Sequence, residues 1–236
     1  MSRWPSDRLH AQPVLATVRR LEERVGARFP DRDLLDVVRD LAALVEEVAD
    51  GAADVRRRIR HTRLLSRLGV VAILAVTATI FWLAVRSALD DRAVTSSLDW
   101  LPLLESGIND LVFAAIALWF LWSLPERVHR SSLLALLHRL RSLAHVVDMH
   151  QLTKDPERLR VDFRPTPRSA DPGLDRNEME SYLDYCTELL SLVGKTAALV
   201  AEQSQDAVVL DAVSNLETLT TSMSRSIWQK ISLLPD

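Results

Sequence analysis

The sequence predicts an all-α protein: a two-span transmembrane helical hairpin continuous with a long-helix cytoplasmic bundle of coiled-coil character. Three observations lead there. Residues 68–85, LGVVAILAVTATIFWLAV, run without a charge, and a second apolar stretch, LVFAAIALWFLWSL, occupies 111–124. Elsewhere the apolar residues recur in steps of three and four, the period of a helix face, and nothing alternates as a strand would.

The N-terminal part, residues 1–67, reads as cytoplasmic helices. Its opening, MSRWPSDRLHAQPV, lacks the uninterrupted apolar core of a signal peptide, so any membrane segment is expected to be internal. Val14, Val18, Leu21 and Val25 mark a first amphipathic helix, which the FPD turn at 29–31 closes. Asp31, following Pro30, is the expected cap of the next helix. From there Leu34, Val38, Leu41, Val45, Val48, Ala52, Val55 and Ile59 form an alternating four-three seam suited to a coiled coil or bundle. No proline interrupts this helix before the end of the first apolar run, so it is expected to continue into the membrane. Gly51 is its weak point, at about 1 kcal/mol relative to Ala.

Transmembrane helix 1 is assigned to 68–86, where the uncharged run just meets the 18 to 20 residues or so that a hydrocarbon core requires. Transmembrane helix 2, at 107–125, has a shorter uncharged core ended by Pro125 and Glu126, and it reaches full length only by placing Asp110 near the interface. Trp82, Trp119 and Trp122 fall at span ends, as aromatic belts do. Asp110 has two readings: an edge carboxylate that reaches water beside Asn109, or a group with a pore or proton-transfer role. The intervening 87–106 is a short non-cytoplasmic loop.

Orientation follows from the arginines. Arg56, Arg57, Arg58, Arg60, Arg63 and Arg67 precede the first span, and Arg127, Arg130, Arg139 and Arg141 follow the second. The connection offers Arg86 and Arg92 against Asp90, Asp91, Asp99, Glu105 and Asp110. By the positive-inside rule both termini are cytoplasmic and the chain is a two-pass protein of the plasma or inner membrane. The same run, RRRIRHTR, also suits anionic headgroups, at roughly 1 kcal/mol per basic residue near the surface.

Residues 126–152 continue as a cytoplasmic helix with Leu133, Leu136, Leu140, Leu143 and Val147 on one face. Residues 153–175 carry Pro156, Pro165, Pro167 and Pro172 and read as an irregular connection. Its Arg158, Arg160, Arg164 and Arg168 belong either to a solvated linker or to a partner-binding surface. Residues 176–236 form an antiparallel helical hairpin. Asp175 with Glu178 makes a capping box for Met179, Tyr182, Cys186, Leu189, Val193, Thr196 and Val200. After a QSQD break at 203–206 come Val209, Val213, Leu216, Thr220, Met223 and Ile227.

The chemistry excludes more than it assigns. A net charge of -3 supplies no basic field for nucleic acid. One cysteine, Cys186, permits no intramolecular disulfide or thiol cluster and reads as a packing residue. With six glycines, the chain has no phosphate loop, and HExxH and GxSxG are missing. What remains is HRLRSLAHVVDMHQL at 138–152, where His138, Arg141, His145 and Asp148 form one helical ridge. The leading reading is a polar register seam bonded to Tyr182, Asp184 or Tyr185 of a facing helix, with a histidine pH switch as a variant. A metal site would use His145 and Asp148, with His138 and with Glu180, Asp184 or Glu188 from another helix, but the ExxH pattern of carboxylate-bridged bundles is missing. An acid–base site lacks a nucleophile and a pocket.

The expected function is therefore that of a non-enzymatic membrane anchor, scaffold or sensor without a cofactor. It would assemble with itself or with a protein partner through its cytoplasmic helices. Two alternatives stay open. One is an oligomeric channel or membrane-perturbing effector, with Ala72, Ala75 and Thr79 or Ala114, Ala115 and Ala117 at helix contacts. The other is a membrane-anchored, metal-dependent bundle enzyme.

Overall fold

The computed structural model describes residues 8–90, 101–169 and 173–235. Among these there is no strand, and the chain is built from five α-helices: α1 (Ala11–Arg28), α2 (Leu34–Asp90), α3 (Leu101–Leu152), α4 (Arg176–Ala201) and α5 (Ala207–Ile231). One 3-10 turn, Pro156–Leu159, interrupts the connection between α3 and α4. The chain divides into two compact units: Met1–Ala53 with Arg130–Asp236, and Asp54–His129. Both α2 and α3 contribute to each.

The first unit is a helical bundle around one apolar core. All four α1 positions expected from the spacing are buried, as are Leu34, Val38, Leu41, Val45 and Val48 of α2. The side chains of Ala52, Val55 and Ile59, further along the same seam, lie outside the described part. On α3, Leu133, Leu140, Leu143 and Val147 are buried, joined by Leu137 and Ala144. The α5 stripe is buried at Val209, Val213, Leu216, Thr220 and Ile227.

The helix α4 differs from its neighbours. Its expected stripe is buried, but so is a second row at Leu183, Leu190 and Ala197, each fully inaccessible. Apolar burial on two faces makes it the central helix, packed against α5 on one side and approached by α1 on another. Its buried hydroxyls are satisfied within the helix: Thr196 Oγ1 donates to the Leu192 carbonyl at 2.7 Å and Thr187 Oγ1 to that of Asp184 at 2.8 Å.

Caps explain where the helices start. The Asp175 carboxylate accepts from the Glu178 N–H at 2.8 Å, and Glu178 Oε2 accepts from the Asp175 N–H at 2.9 Å, a reciprocal capping box. Asp206 caps α5 by accepting from the N–H groups of Val208 and Val209. α2 starts at Leu34, so the residue that precedes it is Asp33, two beyond the expected cap. The Arg32 N–H bonds back to the Phe29 carbonyl, so Asp31 is used up inside that turn, and Asp33 supplies the carbonyl that Val37 takes for the first helical bond. Gly173 carries a left-handed φ of 57°, open to glycine without steric cost, and presents its carbonyl to Arg32 at 3.0 Å.

The second unit contains the outer parts of α2 and α3. α2 continues to Asp90 and α3 begins at Leu101, so both helices extend beyond the apolar runs. Pro102 sits in the first turn of α3, where a missing N–H leaves no bond unmade. Pro125 lies inside α3 without ending it. Just before it, Ser123 Oγ donates to the Phe120 carbonyl at 3.0 Å.

Candidate functional site: an exposed apolar surface

In the second unit the usual rule of burial is reversed. On α3, Leu111, Phe113 and Trp119 are 65%, 64% and 67% exposed, and Trp122 reaches 80%. Ile108, Val112, Ile116 and Phe120 are exposed as well. Leu111, Val112 and Phe113 are consecutive, so they point about 100° apart and span about 200° of the helix circumference. α2 repeats the pattern at Leu68, Val71, Leu74, Val76, Trp82 and Leu83. A helix that is apolar all round belongs inside a protein or inside a bilayer.

The exposure can be put on an energy scale. Fully burying a large apolar side chain is worth about 1.5–3 kcal/mol, so fourteen half-exposed ones in water would forfeit more than a domain's net stability of about 5–15 kcal/mol. Among the described residues, one helical stretch, within Gly107–Leu159, is long and apolar enough to cross a membrane. Its most apolar window has a mean hydropathy of 1.6 and no part of it is buried. Arg67–Thr79 is a shorter apolar segment.

The ends of this surface carry paired cations and aromatics. The Arg86 guanidinium lies 5.3 Å from the Trp82 ring centroid, and that of Arg127 lies 5.8 Å from Trp119 and 6.0 Å from Phe120. Such pairs allow an arginine to remain at an interface while its stem lies along apolar surface. From Arg67 to Arg86 the α2 backbone rises about 28 Å, close to the roughly 30 Å of a hydrocarbon core. Between the two helices, Gly69 of α2 meets Leu121 of α3: a Cβ at that position would stand 3.2 Å from Leu121 Cδ1. Gly69→Leu therefore forces the pair apart, with an expected loss of about 1–3 kcal/mol, readable as a lower melting temperature in detergent.

The remaining sequence candidates fall as follows. Arg67 is exposed; the side chains of Arg56, Arg57, Arg58, Arg60, Arg63 and Asp110 lie outside the described part, although all six positions are helical. His138, Arg141 and His145 are exposed, and Asp148 is half-buried, accepting from Gln151 Nε2 at 2.8 Å. The ridge is thus a solvated face rather than a seam against α4. Each of its members follows an inward residue (Leu137, Leu140, Ala144 or Val147) by one position, which turns it about 100° away from the core.

The two tyrosines expected to face the ridge are engaged elsewhere. The Phe29 ring meets Tyr182 and Tyr185 edge-on at 5.5 and 6.1 Å, Arg24 lies over Tyr185, and Arg24 pairs with Glu188. No three His, Cys, Asp or Glu side chains converge in a metal-holding group among the described residues. His145 and Asp148 remain a pair one turn apart on one helix.

One polar cluster had no counterpart in the sequence reading. Lys154, which opens the connection after α3, is buried, with its ammonium 5.2 Å from the Tyr182 ring centroid. Lys230 donates to the Gln151 carbonyl at 3.1 Å. Burial lowers the pKa of both lysines, and Arg32 depresses Lys154 further. Burial pushes the Cys186 thiol up to about 12 and raises Tyr182 as well. Periodicity could not have found Lys154, because a lysine outside any helix carries no pattern.

The signs of these shifts make alkaline stability testable. Cys186 is neutral when folded, so its contribution is complete below about pH 9, its ordinary value, and is lost as pH rises toward 12. Lys154 acts oppositely: its destabilising charge is relieved as pH rises through its depressed folded pKa toward 10.5. Melting curves from pH 8 to 11 are therefore expected to flatten in Cys186→Ala and to steepen in Lys154→Met. The largest slope from one proton is about 1.4 kcal/mol per pH unit.

Compared with known protein families, curated proteins and solved structures, the chain matches none.

Proposed function

We propose that the chain is an integral membrane protein whose apolar hairpin anchors a cytoplasmic helical bundle, and that the bundle serves as a non-enzymatic scaffold or sensor module. The observation that carries this reading is the run of large apolar side chains exposed on the second unit, bracketed by the Arg86–Trp82 and Arg127–Trp119 pairs. The two-pass topology with cytoplasmic termini rests on the arginine excess before the first span and after the second, set against the acidic connection. A scaffold or sensor role draws support from the long helices that the first unit packs around one apolar core, since such seams also serve as assembly surfaces.

Alkaline carbonate extraction of membranes tests anchorage: the chain is expected in the pellet, and its full release into the supernatant would sink the reading. Topology is checked with an impermeant maleimide. A cysteine at Ser97 is expected to label from outside intact cells, and one at Ser232 only after permeabilisation. Native Cys186 is buried and stays silent.

A further inference from the structure

The arginines that precede the first apolar run are not spread evenly around α2. That helix is unbroken from Leu34 to Asp90, so spacing in the sequence sets which positions share a face. Arg56, Arg60, Arg63 and Arg67 follow one another in steps of four, three and four and occupy about 60° of the circumference. Gly69 against Leu121 fixes the side of α2 that α3 covers. The four arginine positions lie about 120° to 180° around the helix from Gly69, away from that contact. Arg67 is exposed, as this placement requires. Arg58 falls about 20° from the Gly69 direction and Arg57 about 120° from it on the other flank, so neither belongs to the stripe. The positive-inside rule counts arginines without regard to helix face and does not account for this bias.

Two further observations indicate what the stripe holds. Neither helix of the second unit neutralises it: α2 has no Asp or Glu between Asp54 and Asp90. On α3 the one carboxylate between Asp110 and Asp148 is Glu126, which is exposed and lies about 140° around α3 from Leu121. The same α2 face then continues, in steps of four and three, into Val71 and Leu74, which are 61% and 52% exposed. Cationic positions followed by bare apolar surface match the order in which a phospholipid presents its phosphate and its acyl chains.

We infer that this face of α2 binds an anionic phospholipid of the cytoplasmic leaflet, with the phosphate at Arg63 and Arg67 and an acyl chain along Val71 and Leu74. The inference rests on the membrane-anchor reading and names the lipid class that the anchor selects. Depth ranks the residues. Arg63, Arg60 and Arg56 lie about 6, 10 and 16 Å further from the apolar run than Arg67, and the polar layer on each side of a hydrocarbon core is about 5–8 Å thick. Arg67 and Arg63 therefore share the phosphate level, where arginine makes paired hydrogen bonds to phosphate oxygens. Arg60 stands at the edge of that layer, and Arg56 acts only across about a Debye length. A zwitterionic headgroup carries its own cation beside the phosphate and gains less from the stripe.

The test uses the full-length chain in detergent, with binding of phosphatidylglycerol and of phosphatidylcholine of the same acyl chains followed by native mass spectrometry. Phosphatidylglycerol is expected to bind at least about tenfold more tightly, since each arginine at the headgroup level contributes about fivefold. Arg63→Gln with Arg67→Gln is expected to abolish the preference. Arg57→Gln with Arg58→Gln, the same change of charge off the stripe, is expected to keep it within about twofold. Exchanging neighbours, Arg67→Leu with Leu68→Arg, preserves composition, net charge and depth to about 1.5 Å but turns the arginine about 100° off the face. That variant is expected to lose about fivefold in affinity with an unchanged melting curve. No preference in the wild type, equal losses in the two glutamine pairs, or full affinity in the exchange variant overturns the site. Millimolar inorganic phosphate is expected not to displace the lipid, and displacement would reassign the site to free phosphate. Carbonate extraction separates the two proposals: pelleted protein without a lipid preference ends the lipid site alone, and a stripe-dependent preference in released protein ends the anchorage alone.

Discussion

Ile116→Arg is expected to cost the α3 span about 2.5–3.5 kcal/mol of insertion free energy and to move the chain from the carbonate-resistant pellet toward the supernatant. Ile116 is 56% exposed in the middle of the apolar stretch, and no carboxylate lies near it in sequence: the closest are Asp110 and Glu126, both at the ends. An arginine placed there has nothing to pair with and about two to three turns to travel before its guanidinium reaches an interface. On a water-facing helix the same change would be harmless. Met149→Arg, at a residue 65% exposed near the C-terminal end of the same helix, supplies that control. It is expected to stay within about 0.5 kcal/mol and to leave extraction unchanged. Retention of Ile116→Arg in the pellet at the wild-type level would mean that α3 does not insert.

Leu190→Ala is the second large effect, expected to lower bundle stability by about 2–5 kcal/mol in thermal or denaturant unfolding. The residue is completely inaccessible in the centre of α4, where neighbouring helices close over both faces. Removing its isobutyl group leaves a cavity that a helix held on two sides cannot collapse around. The comparison that gives this meaning is Leu210→Ala on α5, where a leucine of the same chemistry is 42% exposed and the expected loss is below about 1 kcal/mol. Similar losses at the two sites would show that α4 is not central.

Leu190 also marks the limit of what periodicity reveals. The stripe from Met179 to Val200 was legible because apolar residues spaced by three and four must share a face, and that face was buried. The second row, Leu183, Leu190 and Ala197, obeys the same spacing, but nothing local states that a second neighbour will cover it. Reading one stripe per helix therefore identifies the helices and misses which one is in the middle.

The histidine ridge illustrates the opposite error. His138, Arg141, His145 and Asp148 do share a face, as their spacing required, yet that face is turned to solvent. Spacing relates residues to one another on a helix; it does not say what the face looks upon. Lys154 and the start of α2 after Asp33 depended on tertiary and turn geometry in the same way, the lysine on where the chain leaves α3 and the helix start on the turn bond from the Arg32 N–H to the Phe29 carbonyl, which spans Asp31.

From its sequence alone the chain was determined to be helical throughout, with the α4 capping box, the inward stripes and two apolar segments in their places. These follow from local spacing and short-range bonds, which a linear string contains. Only the tertiary structure decided that α4 is central, that the histidine ridge faces water, that Lys154 lies over Tyr182, and that Gly194 lets Thr220 of α5 approach α4 closely. Each of these depends on which residues distant in sequence come together, and long-range packing is governed by the shapes of all five helices at once rather than by the period of any one.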